Sequence, residues 1–236
     1  MAERWFSDEQ LHELSRPTMD RVIEAIDAGD LELARRLSEG MKYEWLMLHD
    51  LYAHGMAALL SFIKERLGED AVGECQQDGH GYWQGQVDKV ARLDRRQVVE
   101  LLASTWRAHS TSGVGRNPGA FTITEDDEKV TFAMNPCGSG QRLWRNGFYE
   151  GENALAVTDE AHDWSYGRKG LPIYCTHCTF MNESLPIQWL GLPLYPSHPP
   201  DDYDHDPCVW HWYKDPADIP AEHWERYGLE KPEATA

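Results

Sequence analysis

Cys175 and Cys178 are separated only by Thr176 and His177, and a C-x-x-C bend of this kind sets two sulfurs on one side of a tight turn. Two thiolates placed in this way can share a tetrahedral ion at about 2.3 Å each. Two more cysteines lie on turn-like backbone, Cys137 in Asn135-Pro136-Cys137-Gly138-Ser139-Gly140 and Cys208 in Asp206-Pro207-Cys208-Val209. Cys137, Cys175, Cys178 and Cys208 together predict a four-thiolate metal site. Zinc is the expected ion, and iron or an iron–sulfur cluster is the less favoured occupant. Either His177 or His205 can stand in for Cys137 or Cys208 in such a set. Two other accounts compete with it. Free cysteines are often small buried hydrophobes, and Cys175 with Cys178 can be read as a thiol–disulfide redox pair. The redox account expects the pair to open a helix of a thioredoxin-like unit, yet Gly170-Leu171-Pro172-Ile173 precedes it and no clear helical period follows. Cys75, in Gly73-Glu74-Cys75-Gln76, is read as a structural thiol.

Four cysteine ligands make a closed, structural centre, whereas three protein ligands and a water make a catalytic one. Two residues near the cysteines are candidates to deprotonate a metal-bound water. His162 lies among the acids of Asp159-Glu160-Ala161-His162-Asp163, and Glu183 follows the C-x-x-C pair by five residues. The plainer account of each is a polar loop residue for His162 and a surface or supporting carboxylate for Glu183. His198, His205 and His211 are scattered among Pro and Asp and read as surface positions or as partners behind the ligands.

A rival cluster, Glu44, His49, Asp50 and His54, lies on one long helical segment, with Asp50 and His54 one turn apart. Carboxylate-bridged metal bundles repeat a Glu-x-x-His pattern on a second helix, and no second copy exists here, so ordinary helix polarity accounts for it. Cys137-Gly138-Ser139-Gly140 offers backbone N–H groups to an anion but lacks the Lys and further Gly of phosphate loops. Neither G-x-S-x-G nor H-E-x-x-H occurs.

The elements that must position these residues fall into two parts. Ser7 and Gln10 have capping-box spacing for a first helix that ends near Arg16-Pro17. Pro17 suits the first turn of a second helix carrying Met19, Val22, Ile23 and Ile26. A third helix is expected from Leu31 to Leu67, where Leu33, Leu37, Met41, Trp45, Leu48, Tyr52, Met56, Leu59, Ile63 and Leu67 form one apolar stripe that Gly40 and Gly55 can bend. A further helix is expected from Arg95 to Ala108. Beyond a turn-rich connection, Ala120–Thr124 and Lys129–Met134 read as strands flanking an acidic turn, and Pro and Gly then recur too often for long helices. The expected fold is α+β, with a helical bundle over residues 1–110 and a loop-rich, short-stranded metal-binding half over residues 111–236, tightly docked as one unit.

Composition narrows the function. Forty acidic residues against 22 basic give a formal charge of −18, which disfavours phosphate backbones and anionic membranes. Neither nucleic acid nor a membrane is an expected partner, since no apolar run approaches the ~20 residues of a bilayer span. The acidic N-terminus lacks an apolar signal region, so a cytoplasmic location is expected. Ten Trp residues suit a pocket for a flat or apolar molecule. The expectation is a zinc-dependent enzyme that acts on a small, aromatic or otherwise apolar ligand by hydrolysis or a lyase step, and a homo-oligomer is compatible with it. A ligand-binding or interaction module with a structural zinc, and a redox protein using Cys175 and Cys178, are the alternatives.

Overall fold

Ser7 caps the first helix, α1 (Asp8–Ser15), as its spacing predicts: it accepts from the Gln10 backbone at 3.1 Å, and the Gln10 side chain accepts from Ser7 N at 2.8 Å. The computed structural model describes residues 4–233. Its contacts divide the chain into a unit of residues 1–48 and a unit of residues 49–236. In the first unit α2 (Thr18–Asp27) begins just after Pro17, which caps it from outside rather than opening its first turn. Of its expected apolar residues only Val22 is buried, while Met19, Ile23 and Ile26 stay exposed. A helix must have a facing surface to bury such a stripe, and this short unit offers little.

Asp30 then caps α3 (Leu31–Leu67), with Leu33 N–H donating to its carboxylate at 3.0 Å. The helix runs unbroken through Gly40 and Gly55. Its buried side chains in the second unit are Ala53, Ala57, Leu60 and Ser61, whereas Leu48, Tyr52, Leu59 and Leu67 of the expected stripe are exposed. The helix carries two apolar stripes, and the small residues Ala53 and Ala57 allow closer packing than the large ones. An 18-residue window of α3 has a mean hydropathy of 1.3 with 22% of it buried, so by length and composition alone this helix is apolar enough to cross a membrane.

The second unit continues with α4 (Glu69–Gly79), α5 (Gln84–Val90) and α6 (Arg95–Ser110), the last opened by a capping box between Asp94 and Gln97. Strands β1 (Phe121–Glu125) and β2 (Lys129–Met134) form an antiparallel hairpin, whose turn is fixed by Asp126 accepting from Glu128 and Lys129 N–H at 2.9 and 2.8 Å. A short α7 (Gly140–Arg145) follows. With β3 (Ser197–His198) and β4 (Cys208–Tyr213) the sheet has the order β1-β2-β4-β3, antiparallel throughout. The fold is therefore mixed α+β.

The segment after the C-x-x-C pair is helical, against expectation. A 3-10 turn (Ile173–Thr176), α8 (His177–Thr179), a π-turn (Phe180–Ser184) and α9 (Leu185–Leu190) follow without a break. Most of these residues are buried or half-buried, so no polar face remains to show a period in the sequence. The last helix is α10 (Glu222–Glu225).

Alternation along β2 buries Val130, Phe132 and Met134, which pack with Trp210 of β4 against Val98, Leu102 and Trp106 of α6. Trp106 meets Trp210 edge-on at 4.5 Å between ring centres, and Phe132 at 6.2 Å. Phe132→Ala should therefore cost about 3–5 kcal/mol of unfolding free energy, measured by denaturant titration. A loss below ~1 kcal/mol would show that this layer is not the core.

Candidate metal centre

β2 and β4 bring the two isolated cysteines to one end of the sheet. Cys208 opens β4 opposite Met134, the last residue of β2, and Cys137 lies three residues further on, past a cis Asn135–Pro136 bond. The chain then turns at Gly138, where a Cβ would lie 2.0 Å from the Ser110 carbonyl oxygen. Only glycine fits that approach. The Cys137 N–H is held by the Gln141 side chain at 2.8 Å, which fixes the turn before α7. Cys175 and Cys178 arrive from the helical stretch on the other side. A Cβ on Gly140 would meet the Cys175 sulfur at 2.5 Å, so glycine there makes room for the thiol.

All four cysteines line one recessed cavity of about 40 Å³, together with Ser139 and His177. That volume holds an ion with one or two waters, since a water needs roughly 10–15 Å³ on this measure. It is far below the few hundred Å³ of a drug-sized ligand site. The four thiols are free and half-buried.

Their proximity shows in their acidity. Burial, then the neighbouring Cys137, pushes the Cys175 thiol up to about 12. Burial also raises Cys178, with Cys175, Cys208 and Cys137 adding to it. Cys208 is raised by burial and by Cys137, and the indole N–H of Trp210, which donates to its sulfur at 3.1 Å, opposes that.

His177 is set up as a nitrogen donor. Its Nδ1–H donates to the Tyr174 carbonyl, and burial lowers its pKa to about 4. A neutral ring with its proton on Nδ1 has its lone pair on Nε2, which accepts from the Cys178 thiol at 3.6 Å. Carbonyl-anchored Nδ1 is the usual arrangement behind a metal-ligating imidazole. The donor set fits zinc. Its spacing does not yet close around an ion, since among the described residues no three His, Cys, Asp or Glu side chains stand in metal-holding geometry.

A second feature reaches the same cavity. Arg142 on α7, almost fully buried, pairs with Asp50 and donates to His49 Nδ1 at 2.7 Å. Because arginine can only donate, His49 carries its proton on Nε2, which donates to Ser139 Oγ at 2.9 Å. Burial, then the Arg142 charge, lowers the His49 pKa and keeps the ring neutral. The rival cluster on α3 is thus split. His49 and Asp50 serve this relay, His54 packs edge-on against Phe148 at 4.8 Å, and Glu44 accepts from Thr18 at 2.7 Å. Neither Ser139 nor Arg142 stood out in the sequence, although both lie in the Gly-rich segment beside Cys137.

The two expected acid–base residues do not line the cavity. His162 stacks on Trp164 at 4.2 Å and meets Glu69 at 2.6 Å. Glu183 is fully buried, where it accepts from Ser197 N–H at 2.9 Å, Arg226 at 2.7 Å and the Tyr227 hydroxyl at 3.3 Å. His205 sits on the surface, paired with Asp202 at 2.8 Å, and Cys75 is exposed. Comparison with protein-family models, curated proteins and solved structures finds no match.

The Glu69 cluster makes a pH prediction. Burial works to raise its pKa, but the Asp159 N–H, His162, the Glu160 N–H and Lys64 outweigh it and hold it at about 2. A depressed carboxylate adds stability that is complete above its unfolded pKa and is lost as pH falls toward its folded one. The stability gap between the natural chain and Glu69→Gln should therefore be constant above about pH 5 and shrink toward pH 2. Denaturant midpoints across that range measure it, and a gap that widens on acidification would contradict the assignment.

Proposed function

We propose that the second unit binds one zinc ion through Cys137, Cys175, Cys178 and Cys208. The ion fastens the loop-rich half of a ligand-binding or interaction module. One observation carries this reading: four thiols from three separate parts of the chain line a single cavity too small for a substrate. Zinc supplies folding energy directly when such segments converge on it.

The zinc-enzyme reading has its own support in the Arg142–His49–Ser139 relay, which ends on a hydroxyl at the cavity wall. A zinc ion bound there would supply Lewis acidity to a coordinated water or substrate oxygen. Ser139 would hold a proton at Oγ, oriented by the N–H of His49, and Arg142 with Asp50 would fix the imidazole. That role requires an open coordination position, which four sulfurs would close and three sulfurs would leave. His162 and Glu183 are not among the residues that line the cavity.

X-ray absorption on tag-free protein separates these readings. The structural reading expects about one zinc equivalent with a sulfur-only shell at about 2.3 Å, and its loss in Cys175→Ser. In cobalt-substituted protein added azide should leave the spectrum unchanged, whereas a shifted spectrum would favour the enzyme. Less than about half an equivalent of thiolate-bound metal would overturn both. Loss of two titratable thiols on mild oxidation of metal-free protein would favour the redox pair of Cys175 and Cys178.

A further inference from the structure

The strand that opens with Cys208 presents a different chemistry on its other face. Cys208 and Trp210 point toward the core, so alternation sends Val209, His211 and Tyr213 the other way. His198 on β3 pairs with Val209 and therefore shares that face with His211, one diagonal step apart. α10 contributes His223 to the same place. Ring centres are 5.2 Å apart for His198 and His211 and 5.4 Å apart for His198 and His223. Three imidazoles sharing one ion at about 2.0–2.1 Å place their ring centres about 5 Å apart.

His223 supplies an independent sign. It is completely buried, yet neither ring nitrogen has a hydrogen-bond partner. Each such buried polar atom costs about 1–3 kcal/mol unless something satisfies it. Its Nδ1 lies 3.7 Å from the Glu183 carboxylate and its Nε2 lies 3.8 Å from that of Glu222, both beyond hydrogen-bond reach. Glu183 is itself held by Ser197, Arg226 and Tyr227, whereas Glu222 is mostly exposed.

The other two rings are prepared in the same sense. His211 Nδ1 is held by the Thr131 hydroxyl at 3.0 Å, which leaves Nε2 as its outward donor. Burial, then His198, Lys129 and His223, lowers the His211 pKa to about 4, with Asp126 opposing. Burial, then His223, lowers that of His198, against the opposing pull of Glu183 and Glu222 and with Arg226 acting in the same direction.

We infer that His198, His211 and His223 form a second site for a divalent transition-metal ion, with Glu222 as the fourth ligand. Glu183 is the positioning residue: its carboxylate, 3.7 Å from His223 Nδ1, is placed to accept that N–H once the ring turns, which directs Nε2 toward the ion in the carboxylate–histidine arrangement common behind metal ligands. Among the described residues the donors do not yet enclose an ion, and rotation of the imidazoles about χ2, a soft torsion, is the motion binding requires. Borderline cations such as zinc, cobalt(II) and nickel(II) suit imidazole and carboxylate donors. The site is independent of the thiol centre, which lies on the other side of the strand.

Cobalt(II) titration of the tag-free full chain distinguishes the two. A thiolate site gives strong sulfur-to-metal charge-transfer absorption in the near ultraviolet, whereas an imidazole–carboxylate site gives only weak visible bands. The expected result is about one equivalent without the sulfur band, and its affinity should fall about 10-fold or more in His223→Gln. Because His223 is fully buried, His198→Gln, at a half-buried position, is the companion variant and should weaken the same equivalent while leaving any sulfur band unchanged. Absence of the sulfur-free equivalent, or its survival in both variants, would overturn the inference. Absence of the sulfur band alone would instead count against the thiol centre.

Discussion

The pairing of β2 with β4 is the constraint on which the second unit depends. Six residue pairs run from Lys129 opposite Tyr213 to Met134 opposite Cys208, and this register cannot slip by one residue without exchanging the two faces. In the observed register Val130, Phe132, Met134 and Trp210 meet the helix α6 and bury the aromatic core. The same register ends β2 beside the start of β4, so the chain leaving one strand and the chain entering the other supply Cys137 and Cys208 at adjacent positions. The opposite face carries Thr131, His211 and His198.

Packing around these groups is bought with unusual electrostatics. Thiols crowded in a small cavity are hard to ionise, as the raised pKa values of Cys175, Cys178 and Cys208 show. Compensation comes from groups fixed by the fold: the Trp210 indole on Cys208, and the Tyr203 hydroxyl and the Arg168 charge at Cys175. Glu183 has a comparable place deeper in the structure. Its charge is met by Arg226 and by the Ser197 amide, so the segment after α10 is tied to the π-turn and to β3 through one carboxylate. Breaking a pair of this kind leaves the partner charge buried, which is why such residues are structural anchors before they are acids or bases.

Much of the scaffold was legible because its signals are local. Ser7 with Gln10 and the strand pattern from Lys129 to Met134 each depend on residues within a turn or a strand of one another. The helical stretch after Cys178 was not legible, since a segment buried on all sides has no polar face to betray its period. The apolar stripe of α3 was misplaced for a related reason: two stripes compete there, and only packing against Ala53 and Ala57 selects one. At the candidate site the four cysteines stood out by type and spacing. The relay through Arg142, His49 and Ser139 did not, because its members are about ninety residues apart and their roles depend on which ring nitrogen carries the proton.

The sidedness of β4 also explains why residues so similar in sequence setting diverge in chemistry. Cys208 and His211 are three positions apart, an odd step in a strand, so they must face opposite ways. Any ion held by the sulfur side is screened from the imidazole side by the sheet and by Trp210, and neither set of donors can complete the other. His211 is thus excluded as a replacement ligand for the thiol cavity, whereas His177, on the helical stretch and beside Cys178, is well placed to be one. His177 and His109 are the imidazoles that line the thiol cavity, and His177 comes from the C-x-x-C segment itself. A tautomer fixed by the Tyr174 carbonyl, rather than any feature of the sheet, sets whether that nitrogen is available.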